Sequence, residues 1–406
     1  MRFLIQKFGG TSLITQELRD LVASRIISAA DEGYAPIVVV SAIGRAGEPY
    51  ATDTLINFVS SINRDIPPRE MDMLMSCGEI ISGVAMVNTL QRLGRQAVLL
   101  NGAQAGIVTD GNYTDSRIIR VDPQNIIKHA ECGEIVVVTG FQGISENGEI
   151  TTLGRGGSDT SASAIGVALN AECIDIYTDV EGIMTADPRI VEDARILDTV
   201  TYNEICQLAH EGAKVIHPRA VEIAMQKNIP IRVRSTFKDS PGTLVTSHHE
   251  VYGTIDITRD RLASGVTHIA GVSQLKIATR ELTVEDPALR IFRALALADI
   301  SIDFINVNPE LIMVTVKDEV AKKAVAVLEN LGIHAEVKPN CAKVSTVGAG
   351  MTGVPGVMAR IVEALTEEGV KILQSSDSHT TIWVLVEKDD MKKAIRALHK
   401  KFELGI

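Results

Sequence analysis

The chain has 406 residues, 45% of them hydrophobic, 22% charged and 4% aromatic, which bounds it to about two to four globular domains with a substantial core. A formal net charge of -11 and the lack of a basic patch argue against a nucleic-acid-binding surface. The cysteines at Cys77, Cys132, Cys173, Cys206 and Cys341 are widely spaced with no C-x-x-C, and read as reduced, buried thiols of a cytosolic protein rather than bridges or zinc ligands.

Met1-Arg2 leads straight into an apolar strand over 3–6, so no signal peptide is expected, and no uninterrupted apolar run reads as bilayer-spanning. After the strand comes Lys7-Phe8-Gly9-Gly10-Thr11-Ser12. Glycines let backbone N–H groups approach phosphoryl oxygens, and a lysine adds compact positive charge, so the segment reads as a phosphate cradle. It is not a Walker A loop, and a plain turn at a strand end is the alternative. A helix follows with Leu18, Leu21, Val22, Ile26 and Ala29 on one face, then an apolar strand over 37–40 that runs into Ser41-Ala42. Ala51-Thr52-Asp53 precedes a helix over 71–90, which carries Ser76-Cys77-Gly78-Glu79. Glutamate is rarely buried unpaired, so Glu79 is either a structural acid or a ligand for a cation.

Further apolar runs over 135–138 and 174–177, separated by helical stretches, indicate an α/β fold with a parallel sheet buried on both faces. Between them lies a second glycine cluster, Gly154-Arg155-Gly156-Gly157-Ser158-Asp159-Thr160, which opens a small-residue helix from Ser161. Open N–H groups at a helix start favour an anion, and Arg155 can hold a carboxylate in a two-pronged grip. Ser158 or Asp159 serving only as the helix cap is the competing reading. The strand over 174–177 feeds Thr178-Asp179-Val180-Glu181-Gly182-Ile183-Met184-Thr185-Ala186-Asp187-Pro188-Arg189, and such strand-end loops are where open α/β sheets bind nucleotides.

These three segments, with Val38-Val39-Val40-Ser41-Ala42, Ser76-Cys77-Gly78-Glu79, Gly212-Ala213-Lys214-Val215-Ile216-His217-Pro218 and Ile231-Arg232-Val233-Arg234-Ser235 in order, resemble the aspartate kinases of the amino acid kinase family. The likeness covers nearly the whole chain and is strongest to the short Gram-positive type that includes diaminopimelate-sensitive enzymes.

A repeat follows. Shifted by 70 residues, Arg290-Ile291 falls on Arg360-Ile361, Ile312 on Ile382, Val314 on Val384, Val316 on Val386, and Lys322-Lys323-Ala324 on Lys392-Lys393-Ala394. Each copy reads strand, helix, strand, strand, helix, the ferredoxin-like (βαββαβ) pattern with its last strand supplied locally or from elsewhere. Two such modules in tandem resemble ACT domains, amino-acid-sensing units whose ligand sits at the turn before the first helix. The matching turns hold Glu285-Asp286-Pro287 and Val354-Pro355-Gly356-Val357, and the strand Gln374-Ser375-Ser376-Asp377 offers polar edges for an effector or a partner module. A purely structural, dimer-building role is the alternative. The expected layout is a catalytic amino acid kinase domain over 1–248, a linker over 249–262 containing His249 and Glu250, and ACT domains over 263–340 and 341–406.

The resemblance implies transfer of the γ-phosphoryl group of MgATP to the side-chain carboxylate of L-aspartate. It implies Lys7, with Phe8, Gly9, Gly10 and Ser41, on the triphosphate; Asp159 beside Lys7 or the metal; and no dedicated protein site for Mg2+. Arg155, with Gly156 and Ser158, is expected at the α-carboxylate, Glu79 at the α-ammonium and Thr52 nearby. Thr178, Asp179, Met184, Asp187, Arg189, Lys214 and Val215 are carried over to the nucleotide, Met184 standing where many relatives have an aromatic residue. His217 is read as a packed or capping histidine. Asp286, Pro355, Gly356, Gln374 and Ser375 are the effector candidates, for lysine, threonine or diaminopimelate. A cytoplasmic homo-oligomer with no nucleic-acid or membrane partner is expected. Kinases of glutamate, acetylglutamate or UMP, and a sensor with a decayed kinase half, are the rival classes.

Overall fold

The apolar runs of the first half become the inner strands of one sheet. In the computed structural model, residues 1–213, 215–247, 262–280, 286–351 and 353–405 are described. They form two units. Unit 1 comprises Met1–Ile183, Ile196–His210 and Lys214–Ile255, and unit 2 comprises Met184–Arg195, Glu211–Ala213 and Asp256–Ile406.

Unit 1 runs β1 (Phe3–Phe8), α1 (Gln16–Asp31), β2 (Ala35–Val40), α2 (Thr52–Ser60), α3 (Pro68–Arg92), β3 (Ala97–Leu100), β4 (Ile107–Thr109), β5 (Ile118–Val121), α4 (Gln124–Glu131), β6 (Ile135–Thr139), β7 (Gln142–Ser145), β8 (Ile150–Thr152), α5 (Gly157–Ala168), β9 (Cys173–Thr178), β10 (Thr199–Thr201), α6 (Tyr202–His210), α7 (Pro218–Met225), β11 (Ile231–Ser235) and β12 (Thr243–Thr246). The main sheet has the order β10-β12-β11-β9-β1-β2-β6-β3 and is parallel except between β11 and β12. In its centre Phe8 stands in register with both Val40 and Tyr177, so β1, β2 and β9 end level and release their following loops at one edge. That edge is where an open parallel sheet binds ligands. A second sheet, β5-β4-β7-β8, stands apart from the first.

One expectation, the burial of the cysteines, needs correction, whereas the lack of an uninterrupted apolar span does not. By length and composition alone α3, 25 residues long, could cross a bilayer, but Asp72 and Glu79 interrupt it and half of its most apolar window is buried inside the fold. Both acids are buried, the pattern of a core helix that spends its apolar side on its own protein. The cysteines are all free, but only Cys341 is buried; Cys77 and Cys132 are exposed, Cys132 because it caps α4 at the surface.

Unit 2 runs β13 (Gly265–Ala278), α8 (Pro287–Leu297), β14 (Asp303–Val307), β15 (Leu311–Lys317), α9 (Asp318–Glu329), β16 (Glu336–Val347), α10 (Val357–Glu367), β17 (Gln374–Asp377), β18 (Thr381–Glu387) and α11 (Met391–Lys401). The 70-residue repeat is visible in the backbone, since β15 and β18, and α8 and α10, begin at matching positions. The six strands form one sheet, β14-β15-β13-β16-β18-β17. Strand β13 serves both copies: Gln274–Lys276 pair with the start of β16, while residues 265–270 pair with residues 347–342 and supply the last strand of the second copy. Each copy keeps its own core, one around Leu275, Ile291 and Leu328, the other around Val344, Ile361 and Leu398. The second core takes in Ala186, Ile190 and Val191, so the catalytic half expected over 1–248 is interrupted by a segment that packs with unit 2. Of the linker expected over 249–262, all but Leu262 lies outside the described residues, including His249 and Glu250, as does His248 before it.

Candidate active site

The lysine cradle sits where β1 leaves the sheet. A tight turn over Gly10–Leu13 follows Gly9 and presses against the loop after β2. A Cβ on Gly10 would stand 2.1 Å from the Ala42 carbonyl oxygen, so only glycine allows this approach. Lys7 Nζ lies 2.6 Å from Asp159 Oδ1, with both side chains largely buried. Phe8, by contrast, is wholly buried and stacks on Tyr177 at 4.6 Å between ring centroids, so its side chain is core.

Asp159 and Ser158 lie inside the first turn of α5, whose cap position is the left-handed Gly156; neither is the cap itself. Helix starts leave N–H groups without intrahelical acceptors, and an acidic residue there is favoured by the helix dipole. Gly156 has φ +70°, and a Cβ on it would lie 2.2 Å from Cγ of His217. His217 is therefore a packing residue: it precedes α7 without making a side-chain cap bond, and burial holds its ring toward the neutral form against the pull of Asp159.

Lys7, Gly10, Ser41, Thr52, Glu79, Arg155, Gly156, Ser158 and Asp159 all line one cavity of about 730 Å³, a volume suited to small-molecule ligands. Gly9, expected on the triphosphate with Lys7, Gly10 and Ser41, is not among its lining residues. Glu79, on α3, is 2% exposed; its Oε1 accepts from the Ala42 N–H at 3.1 Å, while Oε2 is buried without a protein hydrogen-bond partner. Desolvation pushes its carboxyl up to about 8 despite the Ala42 bond. A buried oxygen in this state fits a cationic group that would bring its own N–H donors.

The remaining expected nucleotide residues are not gathered there. Thr178 and Asp179 follow β9 in unit 1; Thr178 Oγ1 donates to Asp179 Oδ1, and Arg45, a wall residue of the cavity, donates to Asp179 Oδ2 at 2.8 Å. Met184, Asp187 and Arg189 belong to unit 2, where Arg189 and Asp187 pair at 2.7 Å and Arg189 holds the Asp187 carboxyl below its usual range. Val215 is a half-buried residue of unit 1, and Lys214 lies outside the described residues. Among the effector candidates, Asp286 and Gly356 occupy left-handed cap positions before α8 and α10 of the two copies, beside exposed Pro355. Gln374 is buried, accepting from Gln274 Nε2 at 2.8 Å and donating to the Phe304 carbonyl at 2.5 Å, while Ser375 is exposed. Glu285 lies outside the described residues.

Arg45, Asp72 and Thr114 were not singled out from the sequence. Asp72 had a signal: it stands seven residues before Glu79 in an apolar helix, on the same face.

The amino acid kinase family matches residues 2–235 and the ACT domain family residues 336–400. Aspartokinase 1 of Bacillus subtilis is 50% identical over 405 residues, covering 100% of both chains. The chain belongs to the aspartokinase family. This aspartokinase-family chain is thus a phosphotransferase, and its second repeat copy is an ACT domain. The aspartokinase of Geobacillus stearothermophilus is 38% identical, covering 100% of this chain and 98% of its own. The crystal structure of Clostridium acetobutylicum aspartate kinase superposes with TM-score 0.78 at 26% identity, covering 98% of this chain and 100% of that one. The fold is likewise that of Escherichia coli aspartokinase III in its complex with aspartate and ADP, at TM-score 0.78 and 24% identity over 98% of this chain and 99% of that one.

Proposed function

We propose that the chain transfers the γ-phosphoryl group of MgATP to the side-chain carboxylate of L-aspartate, giving 4-phospho-L-aspartate. This would be the first step toward lysine and diaminopimelate, threonine and methionine, in the cytoplasm. The observation that carries the reading is the single cavity with the Lys7–Asp159 pair, the guanidinium of Arg155 and the half-satisfied Glu79 on its walls. The full-length likeness to a protein named aspartokinase supports it.

An acceptor carboxylate is ionised at neutral pH, so no general base is required, and catalysis reduces to alignment and charge neutralisation. Lys7 would meet the γ-phosphoryl oxygens, with the Gly9–Gly10 backbone and Ser41 beside the triphosphate and Asp159 setting the ammonium in place. Phe8 would contribute only backbone. Arg155, backed by Gly156 and Ser158, would hold the α-carboxylate; Glu79 Oε2 would take the α-ammonium; Thr52 would stand beside the bound acid. Thr178, Asp179, Met184, Asp187, Arg189, Lys214 and Val215 remain the proposed nucleoside contacts. Mg2+ would be carried by triphosphate oxygens and water, where it would screen the phosphate charge.

Feedback control is assigned to the tandem modules, binding lysine, threonine or diaminopimelate near Asp286, Pro355, Gly356, Gln374 or Ser375 in a homo-oligomer. The domain limits proposed are 1–248, 249–262, 263–340 and 341–406. ADP release measured with aspartate, glutamate and acetylglutamate in turn tests the central reading. Turnover confined to aspartate supports it; turnover of another acceptor, or none with amino-acid binding retained, overturns it. The same assay with each effector added identifies the inhibitor.

A further inference from the structure

Asp72 is fully buried on α3, yet both its oxygens are occupied. The Thr114 N–H lies 3.0 Å from each of Oδ1 and Oδ2, the Thr152 N–H donates to Oδ2 at 2.9 Å, and Thr152 Oγ1 donates to Oδ1 at 2.6 Å. A charge removed from water is tolerated when its lone pairs are filled in this way. The carboxylate thereby ties one helix to two separate chain segments.

Both segments end in the cavity. Thr114 is one of its wall residues and has φ +68°, a left-handed backbone that a β-branched residue rarely adopts and that persists only where its surroundings enforce it. Thr152 closes β8, three residues before Arg155. The two segments are laced together by the Ser116 N–H donating to the Thr152 carbonyl at 2.9 Å. Arg219 grips them from α7, donating to the Leu153 carbonyl at 3.1 Å and the Ser116 carbonyl at 2.7 Å. Asp72 and Arg219 therefore hold the base of the Arg155 loop from two sides. Seven residues along α3, about two turns, Glu79 faces the same cavity.

We infer that Asp72 is a positioning residue of the acceptor subsite. By pinning Thr114 and Thr152 to α3, it fixes the spacing between the Arg155 loop and Glu79, the two groups that would read a carboxylate and an ammonium on one amino acid. The inference rests on the functional reading above, with Arg155 and Glu79 on the acceptor. The Lys7 cradle comes from the ends of β1 and β2, which Asp72 does not touch, so the nucleotide subsite is built without it.

The test is steady-state kinetics of the full chain with MgATP and aspartate, comparing wild type with Asp72→Asn, Thr152→Val and Thr152→Ser, alongside thermal melts. Asparagine keeps the shape but turns an N–H donor toward backbone N–H donors, and valine deletes only the hydroxyl bond. The expected result is a KM for aspartate raised about tenfold or more in Asp72→Asn and roughly threefold in Thr152→Val, with the KM for MgATP within about twofold. Thr152→Ser, which keeps the hydroxyl, stays near wild type. An aspartate KM unchanged in Thr152→Val, or a KM for MgATP that rises as much as that for aspartate, overturns the assignment even if Asp72→Asn does not fold. Failure of wild type itself to phosphorylate aspartate would instead strike the functional reading, so the two failures are distinguishable.

Discussion

Lys7 Nζ and Asp159 Oδ1 meet at 2.6 Å across unit 1, joining the end of the first strand to the first turn of α5. They are 152 positions apart in sequence, and the pair places a cation at a cavity wall with a fixed direction. Lys7→Ala is expected to lower kcat by a factor of about 100 to 1,000 or more, on the scale of removing one preorganised donor to a transition-state oxygen. Asp159→Asn should lower kcat as well, by a smaller factor. Both variants should melt close to wild type; loss of folding would make the lysine a structural residue.

Glu79 gives a pH signature. Its carboxyl is raised to about 8, so the folded protein retains a proton that the unfolded chain loses near its ordinary value, and stability declines as pH rises through that window. Glu79→Gln should abolish the decline, melting above wild type at pH 8 by an amount worth on the order of a few kcal/mol, while aspartate turnover is lost. In wild type, the KM for aspartate should fall between about pH 6.5 and 8.5 as the carboxylate forms. A flat KM profile, or a melting difference independent of pH, would remove the ammonium role.

Arg155 should separate affinity from fold. Arg155→Lys keeps charge but loses the planar two-pronged grip, so the KM for aspartate should rise about tenfold or more with little change in melting temperature. Equal effects on both substrates would place the guanidinium elsewhere in the reaction.

Gly156 carries φ +70° against the His217 ring. Gly156→Ala should cost roughly 1–3 kcal/mol and most of the activity, from backbone strain and the clash together. His217→Ala in the same chain should restore part of the stability, because it removes the clash and leaves only the strain. No recovery in thermal melts would mean the ring is not what alanine meets.

Because β13 serves both repeat copies, the second cannot be cut free at its sequence boundary. A fragment of residues 341–406 keeps α10 and α11 but, of the sheet, only β17, β18 and part of β16, and circular dichroism should find it unfolded. Adding residues 265–270 through a linker should restore a cooperative melt. A stably folded 341–406 fragment would contradict the shared strand.

The sheet, its buried strands and the glycine loops at its edge were legible because each rests on local chemistry: apolar runs at 37–40, 135–138 and 174–177, and glycines after β1 and before α5. The repeat was legible because identical spacing demands no knowledge of contacts. What stayed hidden depends on long-range pairing. Nothing local distinguishes Gly265–Ala278 as a strand shared by two modules, nor the segment holding Ala186 and Val191 as part of the second module's core. Asp72 was hidden because its partners, Thr114 and Thr152, lie 42 and 80 residues away and contribute mostly backbone atoms, which carry no sequence signature.

Trapping with hydroxylamine tests the central claim most directly, since an acyl phosphate on the aspartate side chain yields a hydroxamate that a phosphate ester does not. Wild-type chain with MgATP should form aspartyl hydroxamate in step with ADP, and Lys7→Ala should form almost none at the same aspartate occupancy. ADP released without hydroxamate, or hydroxamate formed equally by the Lys7 variant, would contradict the account.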